Sequence, residues 1–167
     1  MELMSYIDRG GIIVYILIGL NIIGFSIIIW KFVVLLMARI NQNEIIENIL
    51  NFINTNNDEF NTKSLDNILT KEMSKLEYGI NTIQIIATIA PLLGLLGTVI
   101  GVLDSFDSIA KLGLGDPSIF SAGISMALIT TVAGMIVAIP HFIAYNYFAT
   151  ILERIENNLE SKVLERL

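Results

Sequence analysis

The chain has 167 residues, 54% of them apolar and 16% charged, with a formal net charge of −6 at pH 7 and no cysteine. Its mean hydropathy of +0.70 and its long apolar runs argue against a soluble domain and for a membrane protein. Without cysteine there are no disulfides, thiolate metal sites or cysteine nucleophiles, and the acidic balance gives no basic footprint for nucleic acid.

Residues 1–10 are a short polar lead carrying Glu2, Asp8 and Arg9. Gly11 to Trp30 then runs without a charge, enough to cross a bilayer that needs about 20 apolar residues. The lead is not basic and no small-residue cleavage site follows, so the run predicts a retained first span over 11–38 rather than a signal peptide. Asn21 and Ser26 inside it are expected to bond a neighbouring helix or their own backbone. Trp30 and Lys31 suit the membrane interface, with the lysine stem reaching toward headgroups.

Residues 39–79 are charged, rich in Asn and too polar to span. Ile45, Ile46, Ile49, Leu50 and Ile53 recur at helical spacing, as do Leu65, Ile68, Leu69 and Leu76, with a polar loop from Asn54 to Thr62 between them. Ser64 is placed to cap the second helix, with Asp66 in its first turn. The pattern predicts a helical hairpin too small to bury a core of its own.

A second span is expected over 80–104, a polar link over 105–117 and a third span over 118–148. Asp116-Pro117-Ser118 reads as the start of the third. The tail, 149–167, keeps Leu152, Ile155, Leu159 and Val163 on one stripe and contains no breaker, so it should prolong the third span as one helix. Pro91 and Pro140 are candidate kinks, since each removes a backbone donor inside a helix. Lys31, Arg39, Lys63, Lys71, Lys75, Arg154, Lys162 and Arg166 fall on one side of this layout, and Arg9 and Lys111 on the other. The positive-inside rule therefore directs the N-terminus and the 105–117 link outward, and the 39–79 hairpin and the tail to the cytoplasm.

Small residues four apart stack on one helix face and let backbones approach. The second span has Ala90, Gly94 and Thr98 beside Gly97 and Gly101. The third has Gly123, Ala127 and Thr131 beside Thr130, Gly134 and Ala138. The two ladders point to tight packing between these spans or within an oligomer. Thr98, Ser125, Thr130 and Thr131 either line a wet seam or bond back to carbonyls one turn earlier. No Asp or Glu lies at the membrane centre, and Asp104 sits at the edge, so a titrating group for ion passage would belong to another chain. His141, the one histidine, cannot build a metal site alone and suits a structural role. As the base for Ser125 it would stand sixteen residues away on the same helix, roughly 24 Å at the standard rise, so no hydrolase site forms. No catalytic residue, metal site or cofactor is expected.

The run Ala90-Pro91-Leu92-Leu93-Gly94-Leu95-Leu96-Gly97-Thr98-Val99-Ile100-Gly101, together with Gly123-Ile124-Ser125-Met126-Ala127-Leu128, Thr131, Gly134, Ala138-Ile139-Pro140 and Tyr145-Asn146, resembles the ExbB/TolQ/MotA family of proton-channel motor subunits. The resemblance is nearest to ExbB. It implies an all-α membrane protein of three transmembrane helices with long cytoplasmic helical extensions, assembled as a ring, a pentamer, in the bacterial inner membrane. The ring would surround the single span of an ExbD- or TolR-like partner whose aspartate carries the proton, and would pass motion to a TonB- or TolA-like protein. The pore-lining threonines map onto Thr98 and Thr131, with Thr130, Ser125 and Met126 beside them. The packing positions are Gly94, Gly97, Gly101, Gly123, Ala127, Gly134 and Ala138. Many ExbB and TolQ proteins carry a Glu where this chain has Met126, which leaves such a ring without that acidic band and the choice of proton or sodium open. A MotA-type stator would bring a fourth span and a larger cytoplasmic domain. The expected function is therefore that of a non-enzymatic motor subunit of a TonB-type system, with a TolQ role in envelope integrity second and a scaffold without ion flux third.

Overall fold

The computed structural model of the chain describes residues 2–41, 46–47, 50, 62–113 and 117–166. Among them, the helices are α1 (Glu2–Arg9), α2 (Gly11–Ile40), α3 (Thr62–Glu77), α4 (Ile80–Leu112) and α5 (Ser118–Arg166). Three stretches, Gly11–Ile40, Ile80–Leu112 and Phe120–Val163, are long and apolar enough to cross a membrane. Their surfaces agree with that use. Ile12, Leu92, Leu95, Leu103, Leu128, Ile136 and Ile143 all expose more than half of their area, an apolar display that lipid or other helices must cover.

The described chain divides into two compact units, residues 1–26 with 82–143 and residues 27–81 with 144–167. In the first, Ile13 and Leu17 of α2, Ile86 and Ala90 of α4, and Val137 and Ala138 of α5 form a buried cluster. The polar lead is itself helical. Gly10 N–H closes α1 on the Tyr6 carbonyl at 3.0 Å, and the Tyr15 hydroxyl donates to Asp8 Oδ1 at 2.9 Å across the turn into α2. Ser26 donates to the Ile22 carbonyl at 2.8 Å, so it bonds its own backbone.

The expected link over 105–117 is shorter than the polar residues suggested, because α4 continues to Leu112. Ser105 is buried there and donates toward the Gly101 and Phe120 carbonyls at 2.9 and 3.0 Å. Asp107 and Lys111 form an i,i+4 pair at 3.2 Å. Helix α4 ends where Gly113, at φ +80, gives its N–H to the Ile109 carbonyl, the left-handed cap that glycine adopts without a Cβ penalty. Helix α5 begins at Ser118 with Pro117 in the turn before it, while Asp116 lies outside the described residues. Pro91 and Pro140 sit inside continuous helices, and each leaves a carbonyl four residues earlier without its usual donor.

In the second unit, the stripe Leu152, Ile155, Leu159 and Val163 is buried, as are Leu35, Ile46, Leu69 and Met73. Helix α3 runs from Thr62 to Glu77, and the capping role expected of Ser64 rests on a side chain outside those described. The Ile45, Ile49 and Ile53 part of the expected hairpin lies outside the described residues.

Lys31 departs from expectation. Instead of reaching toward headgroups it is 1% exposed, its Nζ donates to the Leu76 carbonyl at 3.0 Å and lies 4.7 Å from the centre of the Trp30 ring. The Leu76 carbonyl is one of the last in α3 and has no intrahelical donor. An ammonium there also complements the negative end of the helix dipole. Trp30 meets Tyr78 edge-on at 6.4 Å. Gly79 follows at φ +88, where a Cβ would sit 3.4 Å from both the Lys31 stem and the Trp30 ring.

Candidate functional site

The candidate site is the antiparallel seam between α4 and α5. It follows directly from the missing side chains. A Cβ on Gly94 would stand 2.8 Å from the Thr130 carbonyl oxygen and 3.2 Å from Thr131 Cα, and one on Gly134 would stand 2.7 Å from the Ala90 carbonyl oxygen. A Cβ on Gly101 would strike the Gly123 carbonyl, and one on Gly123 the Gly101 carbonyl and Ser105. Backbones meet at these points, so no side chain can be moved aside to admit a larger residue. At Gly97 the neighbour is the Thr130 side chain, which occupies the space a Cβ would need. Ala127 is buried on the same seam and would lie against a Cβ on Gly101. Ala138 belongs to the buried cluster beside it.

The hydroxyls divide between two roles. Thr130 is fully buried and donates within α5, toward the Met126 and Ala127 carbonyls at 3.0 Å each. It packs as a knob over Gly97. Thr98 is half-buried and gives its proton to the Leu95 carbonyl at 2.5 Å. With the proton so committed, the oxygen offers its lone pairs outward. Thr131 is also half-buried and reaches across to the Gly94 carbonyl at 3.4 Å. Gly94 and Thr98 are one helical turn apart, so the two threonines lie on neighbouring turns of one seam. Ser125 is half-buried. Met126 is half-buried and leans toward the start of α2, its Cε 3.3 Å from where a Gly11 Cβ would be.

Two contributors escaped the sequence reading. Ser105 falls in the expected polar link over 105–117, and a lone serine among Asp104, Asp107 and Ser108 gives no sign of being buried. The other is the pairing of His141 with Gly24. His141 is fully buried, its Nδ1–H donates to the Val137 carbonyl at 2.7 Å, and its ring lies edge-on to Phe25 at 5.2 Å. A Cβ on Gly24 would collide with the imidazole. A glycine inside an apolar run signals a close approach but not by what.

Asp104 is exposed, and among the described residues no acid is buried. No group of three His, Cys, Asp or Glu residues among them is arranged to hold a metal ion. The seam can therefore pack helices and present hydroxyl and carbonyl oxygens, but it holds no carboxylate of its own.

Residues 36–161 match the model of the MotA/TolQ/ExbB proton channel family. Among curated proteins, the chain is 39% identical over 102 residues to the biopolymer transport protein ExbB of Aquifex aeolicus, covering 61% of this chain and 65% of that one. It is 33% identical over 93 residues to the biopolymer transport protein ExbB of Xanthomonas campestris, covering 56% and 37%. It is 36% identical over 81 residues to the Tol-Pal system protein TolQ of Pseudomonas aeruginosa, covering 48% and 35%. The matches thus span between about a third and two thirds of the length of these relatives.

Proposed function

Since the chain belongs to the MotA/TolQ/ExbB proton channel family, a family of channels and not of enzymes, we propose that it is the ring-forming subunit of an inner-membrane, ion-driven motor of the TonB–ExbB–ExbD type. The observation that carries this reading is the glycine-to-carbonyl contact of α4 and α5, with Thr98 and Thr131 on successive turns beside it. Such a seam gives each subunit a rigid strip of oxygens without an ionisable group. Repeated around a ring, a pentamer, the strips form a wall that accepts hydrogen bonds and lets a proton carrier move past without a fixed charge to trap it.

The carrier is the aspartate of an ExbD- or TolR-like single-span partner inside the ring. When protonated, that carboxyl can donate to Thr98, whose own proton is held by Leu95. When ionised, it is repelled by no acid in the wall, because Met126 stands where many relatives have Glu. The motion is passed to a TonB- or TolA-like protein. The N-terminus and the α4–α5 turn face the periplasm, and α3 and the end of α5 face the cytoplasm. Lys31, being buried, no longer counts toward that bias, but Arg39, Lys71, Lys75, Arg154 and Lys162 still outnumber Arg9 and Lys111.

The TolQ role is the second reading, favoured by the Pseudomonas aeruginosa match. Deletion of the chain separates the two: loss of outer-membrane uptake with intact detergent resistance supports the TonB-type reading, and the reverse outcome contradicts it. A complex that assembles normally yet passes no ions would leave only the scaffold reading.

A further inference from the structure

At the polar end of α2, a hollow of about 260 Å³ is walled by Arg39 and, from α5, by Arg154, Tyr147, Thr150 and Asn158, with Ile151 and Ile155 at its base. That is slightly below the roughly 300–1,000 Å³ of sites for drug-sized ligands, a size suited to a small charged group. Among the described residues neither guanidinium has an ion-pair partner; the pairs formed there are Glu72 with Lys75 and Asp107 with Lys111. At 100° per residue, Glu153, Glu156 and Glu160 fall on the far side of α5 from the wall residues. Two like charges line one small space, in a chain that is otherwise net acidic. An anion between them converts their repulsion into attraction.

We propose that this hollow binds the phosphate of an anionic phospholipid headgroup. The guanidiniums are planar forks matched to two phosphate oxygens each, and the Asn158 amide and Tyr147 phenol add neutral donors. Thr150 contributes shape only, since its hydroxyl proton already goes to the Asn146 carbonyl at 2.9 Å. The surroundings select a lipid over free phosphate. Phe32, Val33, Leu36, Met37 and Ile40 of α2 and Tyr147 of α5 all expose 44% or more of their surface and lie within about two helical turns of Arg39 or Arg154, so acyl chains have apolar surface to lie on beside the headgroup. Basic pockets between spanning helices at the membrane edge are suited to anionic headgroups. The site shares no residue with the α4–α5 seam, and its occupation does not depend on ion passage.

The test titrates the purified full chain in neutral detergent with dihexanoyl phosphatidylglycerol, dihexanoyl phosphatidylcholine and inorganic phosphate, read by calorimetry. The expected order places phosphatidylglycerol at least about tenfold ahead of the other two. Arg39→Gln and Arg154→Gln each weaken it about fivefold and together about 25-fold, while Lys111→Gln leaves it unchanged. Asn158→Asp, which keeps both arginines and adds a carboxylate to the wall, should remove phosphatidylglycerol binding even if the double arginine variant proves unstable. Equal binding of inorganic phosphate would overturn the lipid as occupant, and equal binding of phosphatidylcholine would overturn the selection for an anion. Wild-type affinity in the double variant or in Asn158→Asp would overturn the site itself.

Discussion

Gly97 and Thr130 are the pair on which the seam can be tested one atom at a time. Alanine for glycine in a helix is by itself favourable by about 1 kcal/mol. At Gly97 the added methyl meets the Thr130 side chain, which is fully buried and cannot swing away. Overpacking costs about 1–3 kcal/mol, so Gly97→Ala should lower thermal stability in detergent by about 1 kcal/mol net. In a Thr130→Gly background, which removes the Cβ that the new methyl meets as well as the hydroxyl and methyl beyond it, the same change should lose that penalty, a coupling that a double-mutant cycle reads directly. Gly101→Ala offers a contrast: its methyl meets the Gly123 carbonyl, and no side-chain substitution should rescue it. The ladder of small residues was readable as four-residue spacing, because spacing assigns residues to faces. It could not say that Thr130 is fully buried against Gly97 while Thr98 is only half-buried, since both are threonines in the same kind of run, and only the opposing helix distinguishes them.

At the scale of elements, the spans were readable from apolar length, and the polar segments between them were misjudged in the same way. Ser105, Asp107 and Lys111 looked like a loop, yet α4 incorporates them by burying the serine and pairing the other two along one face. Lys31 looked like an interface anchor, yet it holds the end of α3 through the Leu76 carbonyl. Charge identifies which residues need a partner; it does not reveal whether that partner is water, lipid or a helix end. Hydrogen bonds from a charged donor contribute about 1.5–3 kcal/mol. Lys31→Met keeps the stem and loses that bond, so α3 should open locally. Trypsin should then cut after Lys71 and Lys75 several times faster than in the wild-type chain, with the spanning helices still intact. Unchanged cleavage would mean that the ammonium contributes nothing to α3.

For the whole molecule, the absence of cysteine makes topology directly measurable. Lys111→Cys should react with a membrane-impermeant maleimide in intact spheroplasts, and Lys71→Cys only after permeabilisation. The opposite pattern would invert the proposed orientation. On the proposed function, a strip of oxygens on the α4–α5 seam, with no carboxylate of its own, forms the wall past which a partner's acid carries ions. The most direct measurement is ion uptake by proteoliposomes containing the chain together with its single-span partner, comparing Thr98→Val with Thr98→Ser. Both variants keep the glycine contacts, so both should assemble at wild-type levels. Thr98→Ser, which retains the hydroxyl, should pass ions at close to the wild-type rate, and Thr98→Val should fall at least about tenfold, the loss expected when a hydrogen bond worth about 1.4 kcal/mol is missing at the barrier. Wild-type uptake by an equally assembled Thr98→Val complex would contradict the account.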